Sequence, residues 1–321
     1  MEKRTLGNTD LKTAPIVFGG NVFGWTLNEE ESFAMLDRVL ELGINVIDTA
    51  DVYSRWVDGN DGGESERIIG RWLKARNNRD KVTIITKVGS DMGQGGIDNS
   101  AGYIEKAVER SLDRLQIDTI DLYLTHFDDE KTPVEETMAA YDKLVKAGKV
   151  RFVGASNMSA ERLTASLEAS KKNGFPRYEV FQPEYHLLER KAFETGVGPV
   201  CERENLGVIT YFSLAAGFLT GKYRSKEDLE GSSRSGMVEK YLDDRGLSVL
   251  AAVDRVAKSQ GISQAGVALA WLINKPGVTA PIASATKAHH LDCFKEALSA
   301  NLTQDEMDML DFASGKVHTP A

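Results

Sequence analysis

Short apolar runs alternate with longer amphipathic stretches along the whole chain. Each run is four or five residues long and ends in polar residues. Runs of this length, rich in β-branched side chains, are typical of strands that are buried on both faces of a parallel sheet. The eight runs are Pro15–Phe18, Ile44–Ile47, Val82–Ile85, Ile120–Leu124, Val150–Val153, Tyr178–Phe181, Val208–Phe212 and Val278–Ile282.

The stretches between these runs carry helical periodicity. Apolar and small residues recur three and four positions apart over Ile104–Leu115 and over Val134–Val145, which gives each stretch one apolar stripe. Glycine frequently separates such a stretch from the next run, at the place where helices often end in a left-handed residue. These glycines are Gly43, Gly148, Gly174 and Gly207.

Eight alternating units predict an α/β fold with a parallel sheet and crossover helices. Eight is also the number of strands that closes a (β/α)8 TIM barrel. The alternative is an open, doubly wound sheet, which most often binds a dinucleotide through the sequence G-x-G-x-x-G after its first strand. The first run here leads into GGNVFG at 19–24, which does not fit that sequence, so the barrel is favoured.

Three segments lie outside the eight units. Residues 3–13 are expected to form a β-hairpin that caps the bottom of the barrel, and residues 219–245 form a long polar loop of the kind that usually has a function. A last helix is predicted over Thr303–Phe312, whose first residue and Glu306 have the spacing of a capping box. We therefore expect one barrel domain over residues 1–321, with an N-terminal hairpin and an extra C-terminal helix.

Composition and charge narrow the classes of function. The chain has 321 residues, of which 41% are hydrophobic, and a net charge of −9, so binding to nucleic acid is not expected. Two cysteines are too few for a disulfide scaffold or a cysteine metal cluster, and no metal site is predicted. No run approaches the roughly 18 residues of a membrane span, and the first residues lack the apolar core of a secretory signal. We expect a cytoplasmic protein without a membrane partner, while the oligomeric state is left open.

Four polar residues stand at the carboxyl ends of neighbouring strands, where barrels gather their chemistry. Asp48 and Tyr53 come after the second run, Lys87 after the third and His126 after the fourth. Taken singly, an aspartate can cap a loop, a tyrosine can pack in the core and a histidine can be satisfied inside the protein. A lysine that closes a buried strand must pair with an opposite charge, extend its amine to solvent or shift its pKa, and Asp48 is a natural partner for Lys87.

Five sequence blocks contain these residues and the ends of two later strands. They are GINVIDTADVYS at 43–54, ITKV at 85–88, LYLTH at 122–126, VGASN at 153–157 and QPEY at 182–185. In this order they resemble the aldo-keto reductase superfamily, over nearly the whole chain. The resemblance implies a (β/α)8 barrel, a nicotinamide cofactor bound without a Rossmann motif, and reversible carbonyl reduction. It also implies a catalytic tetrad of Asp48, Tyr53, Lys87 and His126.

The implied roles agree with simple acid–base chemistry. Carbonyl reduction needs a hydride at carbon and a proton at oxygen, and Tyr53 would be the general acid in reduction and the base in oxidation. Because a tyrosine is a weak acid, we expect the ammonium group of Lys87 to lower the pKa of Tyr53, with Asp48 holding Lys87 in place. His126 would donate a hydrogen bond to the substrate oxygen and orient it.

The resemblance also implies a series of cofactor contacts in addition to Asp48. They run from the nicotinamide and its ribose, through the carboxamide and the face of the ring, to the pyrophosphate and the adenosine. In that order the residues are Gly20, Asn21 and Val22, then Ser156, Asn157 and Gln182, then Tyr211, then Leu214 and Gly217, and last Ser284, Thr286, Lys287 and His290.

The last strand departs from the family's common pattern. The family commonly carries Gly or Lys where Ser284 stands, and Arg or Gln where His290 stands, so the usual contacts with a 2′-phosphate are partly absent. Lys287, His290 or the loop residues Arg224 and Arg234 are candidates for the cation that such a phosphate requires. NADP(H) is the favoured cofactor, and NAD(H) is the alternative.

The favoured function is that of an NADP(H)-dependent oxidoreductase that reduces aldehydes and ketones or oxidises the matching alcohols or sugars. The small carbonyl substrate would meet His126 between Trp25 and Trp56, unless these tryptophans merely pack over a neighbouring loop. One alternative is a nicotinamide-sensing regulatory subunit on a reductase-like barrel, which the intact tetrad disfavours. Another is a lyase that uses Lys87 as a Schiff-base nucleophile. It needs a neutral amine, whereas Asp48 would keep Lys87 protonated.

Overall fold

Eight parallel strands close into a barrel in the computed structural model, which describes residues 1–231 and 234–315. Neighbouring strands pair in chain order, and the last strand pairs with the first. The predicted TIM barrel is therefore confirmed. An antiparallel pair, β1 (Arg4–Thr5) and β2 (Lys12–Thr13), precedes the barrel strands β3 (Val17–Gly19), β4 (Val46–Asp48), β5 (Thr83–Val88), β6 (Ile120–Thr125), β7 (Val150–Ser156), β8 (Tyr178–Gln182), β9 (Gly207–Thr210) and β10 (Ala280–Ala283).

Helices connect the strands and cover the outside of the barrel. In the part of the chain that the structure describes, none of them is both long and apolar enough to cross a membrane. They are α1 (Glu29–Glu41), α2 (Glu64–Arg76), α3 (Ala101–Leu115), α4 (Val134–Lys146), α5 (Ala160–Asn173), α6 (Gly198–Arg203), α7 (Ser235–Val238), α8 (Asp244–Gln260), α9 (Gln264–Asn274), α10 (Asp292–Ser299) and α11 (Gln304–Gly315).

The ends of the helices follow the glycine signals with one exception. Gly43, Gly148 and Gly174 all have positive φ, as predicted for residues that follow a helix. The same prediction is wrong for Gly207, which lies in β9. Asn205 takes the left-handed conformation there, with φ of 52°, because asparagine tolerates this region better than most residues.

Two apolar layers hold the barrel together. One layer fills its interior, where inward-facing residues such as Val46, Leu122 and Ile209 are fully buried. The other lies between the outer face of the strands and the helices, and it contains the fully buried Trp72 and Trp271. The strands are thus buried on both faces, which is why they read as continuous apolar runs.

The N-terminal hairpin closes the bottom of the barrel. Leu6 and Leu11 belong to the same buried cluster as the inward-facing strand residues. At the turn of the hairpin, Gly7 lies so close to the backbone of Glu179 and Gly207 that a β-carbon would collide with both. The expected cap is confirmed, and it leaves the carboxyl ends of the strands as the open mouth.

The remaining segments agree with the predictions, with shifts at their boundaries. The capping box forms, since Thr303 N–H donates to Glu306 Oε2 at 2.9 Å and Glu306 N–H donates to Thr303 Oγ1 at 3.3 Å. The loop 219–245 contains the short helix α7 and runs into the start of α8. Strands β5 and β7 extend further than expected, so Lys87 and Ser156 lie inside strands rather than after them.

Candidate active site

The mouth of the barrel brings the four candidate catalytic residues together. Asp48 is the last residue of β4, Lys87 lies near the end of β5, and His126 directly follows β6. Tyr53 comes from the turn that follows β4. Because these strands are parallel neighbours, their carboxyl ends converge at one point of the mouth.

Lys87 is the centre of the hydrogen-bond network at this point. Its Nζ lies 2.7 Å from Asp48 Oδ2, 2.8 Å from the hydroxyl oxygen of Tyr53 and 2.8 Å from the carbonyl oxygen of Thr49. Three acceptors match the three N–H donors of an ammonium group. The Tyr53 hydroxyl also donates to Asp48 Oδ2 at 3.2 Å, and Gln182 Nε2 donates to Asp48 Oδ1 at 2.8 Å. The side chains of Lys87 and Asp48 are buried, so this is a desolvated ion pair.

The surroundings of Tyr53 raise its pKa instead of lowering it. Burial is the main cause of a Tyr53 pKa well above the usual value, and the carboxylate of Asp48 adds to it. The pKa of Tyr53 is therefore not lowered overall as expected, because burial and the carboxylate that holds Lys87 outweigh the effect of the ammonium group. Burial lowers the pKa of Lys87 itself, and Asp48 opposes that effect. The phenol keeps its proton at neutral pH, as a general acid must.

His126 is fixed at its backbone and at its ring. Its N–H donates to the carbonyl oxygen of Val88 at 2.8 Å, and its own carbonyl accepts from Asn157 Nδ2 at 2.9 Å. Ser90 Oγ lies 2.9 Å from Nδ1 of the ring. Burial, and then the charge of Lys87, lower the pKa of His126 well below its usual value. The imidazole is therefore neutral.

Aromatic side chains surround Tyr53 and His126. Trp56 packs edge-on against Trp25 and Tyr53, with ring centroids 5.6 and 6.0 Å apart. Phe127 stacks on His126 at 4.7 Å. Trp56 is 50% exposed and Phe127 is 38% exposed, so apolar surface is open to a ligand at the mouth. The two tryptophans that were expected to flank the substrate thus form an aromatic wall beside the tetrad, and Phe127 extends this wall.

The backbone after β9 holds an unusual conformation. Phe212, Ala215 and Ala216 have φ values of 53°, 48° and 55°, and Gly217 has φ of 101°. Left-handed residues other than glycine are uncommon and cluster at sites where ligands are held. Leu214, which was expected near a pyrophosphate together with Gly217, lies inside this segment and is half-buried.

Cationic side chains gather between this segment and the residues after β10. Burial lowers the pKa of His290, and the neighbouring His289, Lys222 and Lys287 lower it further. The rings of His289 and His290 pack edge-on with their centroids 4.6 Å apart. The backbone N–H of Thr286 donates to His290 Nδ1 at 3.4 Å. Among the described residues, neither Lys222 nor Lys287 forms an ion pair with a carboxylate.

Two other predicted cations are engaged elsewhere. Arg224 makes hydrogen bonds of 2.9 and 3.0 Å to the two carboxylate oxygens of Asp254. Arg234 lies over the ring of Trp25, with its guanidinium carbon 5.3 Å from the ring centroid. The guanidinium of Arg224 is thus neutralised, while Arg234 connects the loop 219–245 to the wall of the pocket.

Comparison with known proteins identifies the family. The sequence model of the aldo/keto reductase family matches residues 15–314, which is nearly the whole chain. The chain belongs to the aldo/keto reductase family. It is an NAD(P)H-dependent oxidoreductase, and the reduction of carbonyl groups is its general chemistry.

Several aldo/keto reductase relatives align over most of their length. YrpG of Bacillus subtilis, described as an uncharacterized oxidoreductase, is 34% identical over 319 residues, or 97% of this chain and 95% of that protein. The L-glyceraldehyde 3-phosphate reductase of Escherichia coli K12 is 32% identical over 314 residues, or 94% and 89%. The NADP(+) aldo-keto reductase yakc of Schizosaccharomyces pombe is 31% identical over 285 residues, or 86% and 80%.

The nicotinamide end of an aldo/keto reductase cofactor fits the residues at the mouth. Gln182 uses its Nε2 on Asp48, while its Oε1 has no partner among the described residues and is open to accept a hydrogen bond. Ser156 Oγ donates to the Gln182 carbonyl oxygen at 2.8 Å, and the Tyr211 hydroxyl donates to Asn157 Oδ1 at 2.7 Å. The structure thus brings these predicted nicotinamide residues of the aldo/keto reductase together.

The end of β3 meets the end of β10 at the adjacent side of the mouth. Ser284 Oγ donates to Asn21 Oδ1 at 2.6 Å, and Ser65 Oγ donates to the carbonyl oxygen of Gly20 at 2.8 Å. Val22 is different, because its side chain is completely buried in the core. Any contact of Val22 with the cofactor of this aldo/keto reductase is therefore made by its backbone.

Asp51 is a buried acid that the sequence-based reasoning missed in this aldo/keto reductase. It is 2% exposed, and neither carboxylate oxygen has a hydrogen-bond partner among the described residues. Burial, and then the charge of Glu66, raise the pKa of Asp51 to about 8, while Arg114, the backbone N–H of Val52 and Lys87 act in the opposite direction. The sequence carries one signal for this site, because Asp51 lies between Asp48 and Tyr53 in the segment DTADVY at 48–53.

Proposed function

We propose that this protein is an NADP(H)-dependent reductase of aldehydes and ketones in which Tyr53 is the general acid. The observation that carries the proposal is the double contact of Lys87 Nζ with Tyr53 and Asp48, beside His126 at the mouth. In the reverse direction Tyr53 is the base, and the same residues oxidise an alcohol or sugar. The nicotinamide cofactor, when bound, supplies the hydride.

Tyr53 gives its proton to the substrate oxygen. As negative charge develops on that oxygen, it becomes a stronger base than a phenolate, so a phenol with a raised pKa still transfers its proton. Lys87 donates to the phenol oxygen at 2.8 Å and stabilises the phenolate that is left. Asp48 keeps Lys87 in place through the 2.7 Å ion pair. His126 donates to the same substrate oxygen and orients it.

A 2′-phosphate at the adenosine end suits the cationic cluster formed by Lys222 and Lys287 beside the neutral ring of His290. A phosphate monoester carries nearly two negative charges and binds best where several donors with positive charge are in reach. Two lysines without a carboxylate partner among the described residues meet that need, whereas NAD(H) would leave both without a counter-charge. These observations support NADP(H) as the preferred cofactor, held along the backbone of residues 212–217 and by Gln182.

The aromatic wall supports a substrate with an apolar face next to its carbonyl group. Trp56, Trp25 and Phe127 offer flat surface around the tetrad, and planar groups pack well on such surface. Aldehydes and ketones with an aromatic ring are therefore expected to be better substrates than aliphatic ones of the same size. The carbonyl oxygen lies towards Tyr53 and His126 in this arrangement.

Steady-state turnover of benzaldehyde with NADPH and with NADH tests the proposal. We expect oxidation of NADPH and a higher kcat/KM for NADPH than for NADH, and a ratio below one would end the preference for NADP(H). Tight binding of NADPH without turnover of any aldehyde would favour the nicotinamide-sensing subunit instead. Trapping of Lys87 by borohydride in the presence of a carbonyl compound would favour the lyase.

A further inference from the structure

The hydroxyl of Ser90 is the side-chain group that contacts the ring of His126 through a hydrogen bond. Ser90 Oγ lies 2.9 Å from His126 Nδ1, and Ser90 is only 4% exposed. Ser90 follows β5 and so comes from the same segment as Lys87, two residues after the end of the strand. Ser90 is thus a buried neighbour of the tetrad whose hydroxyl contacts the ring of His126.

Counting protons decides the direction of this hydrogen bond. Among the described residues, His126 Nδ1 is the one acceptor within reach of the Ser90 hydroxyl. If Ser90 accepted a proton from Nδ1–H, its own buried O–H would have no acceptor, and leaving a buried donor unpaired is costly. Ser90 therefore donates to Nδ1. A neutral imidazole whose Nδ1 accepts must carry its proton on Nε2.

Nε2 is the nitrogen that is available to a ligand. It has no partner among the described residues, and it is not sealed from solvent. Since burial and the nearby ammonium group of Lys87 keep the ring neutral, a single proton is shared between the two nitrogens. Its location on Nε2 determines whether His126 can donate to a carbonyl oxygen at all.

We propose that Ser90 is a positioning residue that fixes His126 as the Nε2–H tautomer, so that the neutral ring donates a hydrogen bond to the substrate carbonyl oxygen. The inference rests on the proposed function for its last step, the donation to substrate. The tautomer itself depends only on the contact between Ser90 and His126.

The loop around Ser90 is built to keep its hydroxyl in place. Gly89 has φ of 106°, and a β-carbon there would collide with the amide oxygen of Asn99. Asn99 Nδ2 donates to the carbonyl oxygen of Phe127 at 2.8 Å, which ties this loop to the residue after His126. The carbonyl oxygen of Ser90 accepts from Gln94 Nε2 at 2.8 Å. The loops that carry Ser90 and His126 are thus fastened to one another.

Nitrogen NMR of the imidazole rings tests the tautomer in the wild-type protein and without substrate. The chain has five histidines, so ¹⁵N-histidine labelling gives few signals, and the His126→Gln variant assigns the ring in question. We expect the shifts of a protonated Nε2 and an unprotonated Nδ1 between pH 6 and pH 8. A wild-type spectrum with the proton on Nδ1, or with a charged ring, would overturn the proposal.

Substitution of Ser90 tests the effect on turnover. In Ser90→Ala we expect a mixed tautomer population and a kcat about two- to fivefold lower, in proportion to the fraction of rings that lose the Nε2 proton, because one neutral hydrogen bond sets the balance. The KM for NADPH should not change. Ser90→Thr, which retains the hydroxyl, should restore both the single tautomer and kcat. Ser170→Ala, which removes another buried hydroxyl far away on α5, is the matched control and should change neither.

The two readouts separate this proposal from the proposed function. If Ser90→Ala keeps the wild-type tautomer and kcat, the positioning role is wrong even if the enzyme is active. If His126→Gln and Tyr53→Phe both retain full turnover, the proposed function fails, and with it the donation to substrate. The NMR result on the tautomer is decided independently of that outcome.

Discussion

Lys87 Nζ lies 2.8 Å from the hydroxyl oxygen of Tyr53 and 4.5 Å from the centre of its ring. In the resting site Asp48 balances this positive charge, and burial together with the Asp48 carboxylate raises the pKa of the phenol. Once the proton has left Tyr53, the phenolate and the ammonium group attract one another at hydrogen-bond distance. Lys87 therefore acts on the transition state more strongly than on the resting enzyme, which is the requirement for catalysis.

Replacing Tyr53 by Phe tests the acid directly. The substitution removes one hydroxyl and leaves the ring and its aromatic neighbours, so the fold and the affinity for NADPH should be nearly unchanged. We expect kcat to fall by about 10²- to 10⁴-fold, the usual contribution of a general acid. Steady-state kinetics and fluorescence titration with NADPH measure the two effects. Tyr185→Phe, which removes a hydroxyl that donates to Glu194 Oε1 at 2.7 Å, is the control. Retention of most of kcat in Tyr53→Phe would show that the assigned acid is wrong.

Replacing Lys87 by Met tests the buried ion pair. Turnover should be lost as in Tyr53→Phe, because nothing then stabilises the phenolate. Stability should fall as well, since Asp48 is left as an unpaired charge at 2% exposure. Breaking a buried pair on one side typically costs about 3–5 kcal/mol. Urea unfolding followed by circular dichroism measures this loss.

The double variant Asp48→Asn, Lys87→Met is the matched control for that loss. It removes both charges, so we expect it to recover much of the stability while turnover stays absent. A single Lys87→Met variant as stable as the wild type would contradict the structure, in which the two groups are 2.7 Å apart and sealed from water.

The fold was predictable because each strand is buried on both faces. This burial produced apolar runs that stand out from the amphipathic helices, so the eight strands could be located. Their ends were less certain, since Thr86 and Lys87 continue β5 although they are polar. Gly207 shows a second difficulty, because a glycine marks a close approach as readily as a helix end, and here the hairpin packs against it.

The site was predictable in position but not in electrostatics. Motif spacing located Asp48, Tyr53, Lys87 and His126, and the structure brings them together. The pKa of Tyr53 depends first on its burial and then on the position of the Asp48 carboxylate, and a sequence does not contain that geometry. In the same way, sequence alone did not tell that Arg224 is neutralised by Asp254, which follows much later in the chain.

The cationic cluster leads to a prediction about cofactor preference. Lys222→Ala and Lys287→Ala should each reduce the ratio of kcat/KM for NADPH over NADH, by about tenfold, because each removes one charge near the 2′-phosphate while NADH loses no partner. The lower ratio should arise from a higher KM for NADPH. Parallel kinetics with both cofactors at constant ionic strength measure it.

Arg224→Ala is the control for these lysine variants. Arg224 lies in the loop 219–245 together with Lys222, but Asp254 neutralises its charge. Its removal is therefore expected to leave the cofactor ratio within about twofold of the wild type. An equal drop in Arg224→Ala would mean that the long-range charge of the loop, rather than the cluster itself, sets the preference.

Asp51 leads to a prediction about stability and pH. Its pKa is raised to about 8 in the folded protein, because the carboxyl is buried and faces Glu66. In the unfolded chain it has an ordinary value near 4. Between these two values the folded state holds a proton that the unfolded state has lost, so stability falls as pH rises from about 4 to about 8 and is flat above.

Asp51→Asn removes this dependence, since an amide does not titrate in that range. The stability of the variant relative to the wild type should therefore grow between pH 5 and pH 8, by on the order of 4 kcal/mol. Urea unfolding at both pH values gives the difference, with Asp58→Asn at an exposed position as the control. The pH dependence is the decisive quantity, because a new buried amide changes stability by an amount that does not vary with pH. If the two curves stay parallel from pH 5 to pH 8, Asp51 is ionised in the folded protein and has a partner for its charge.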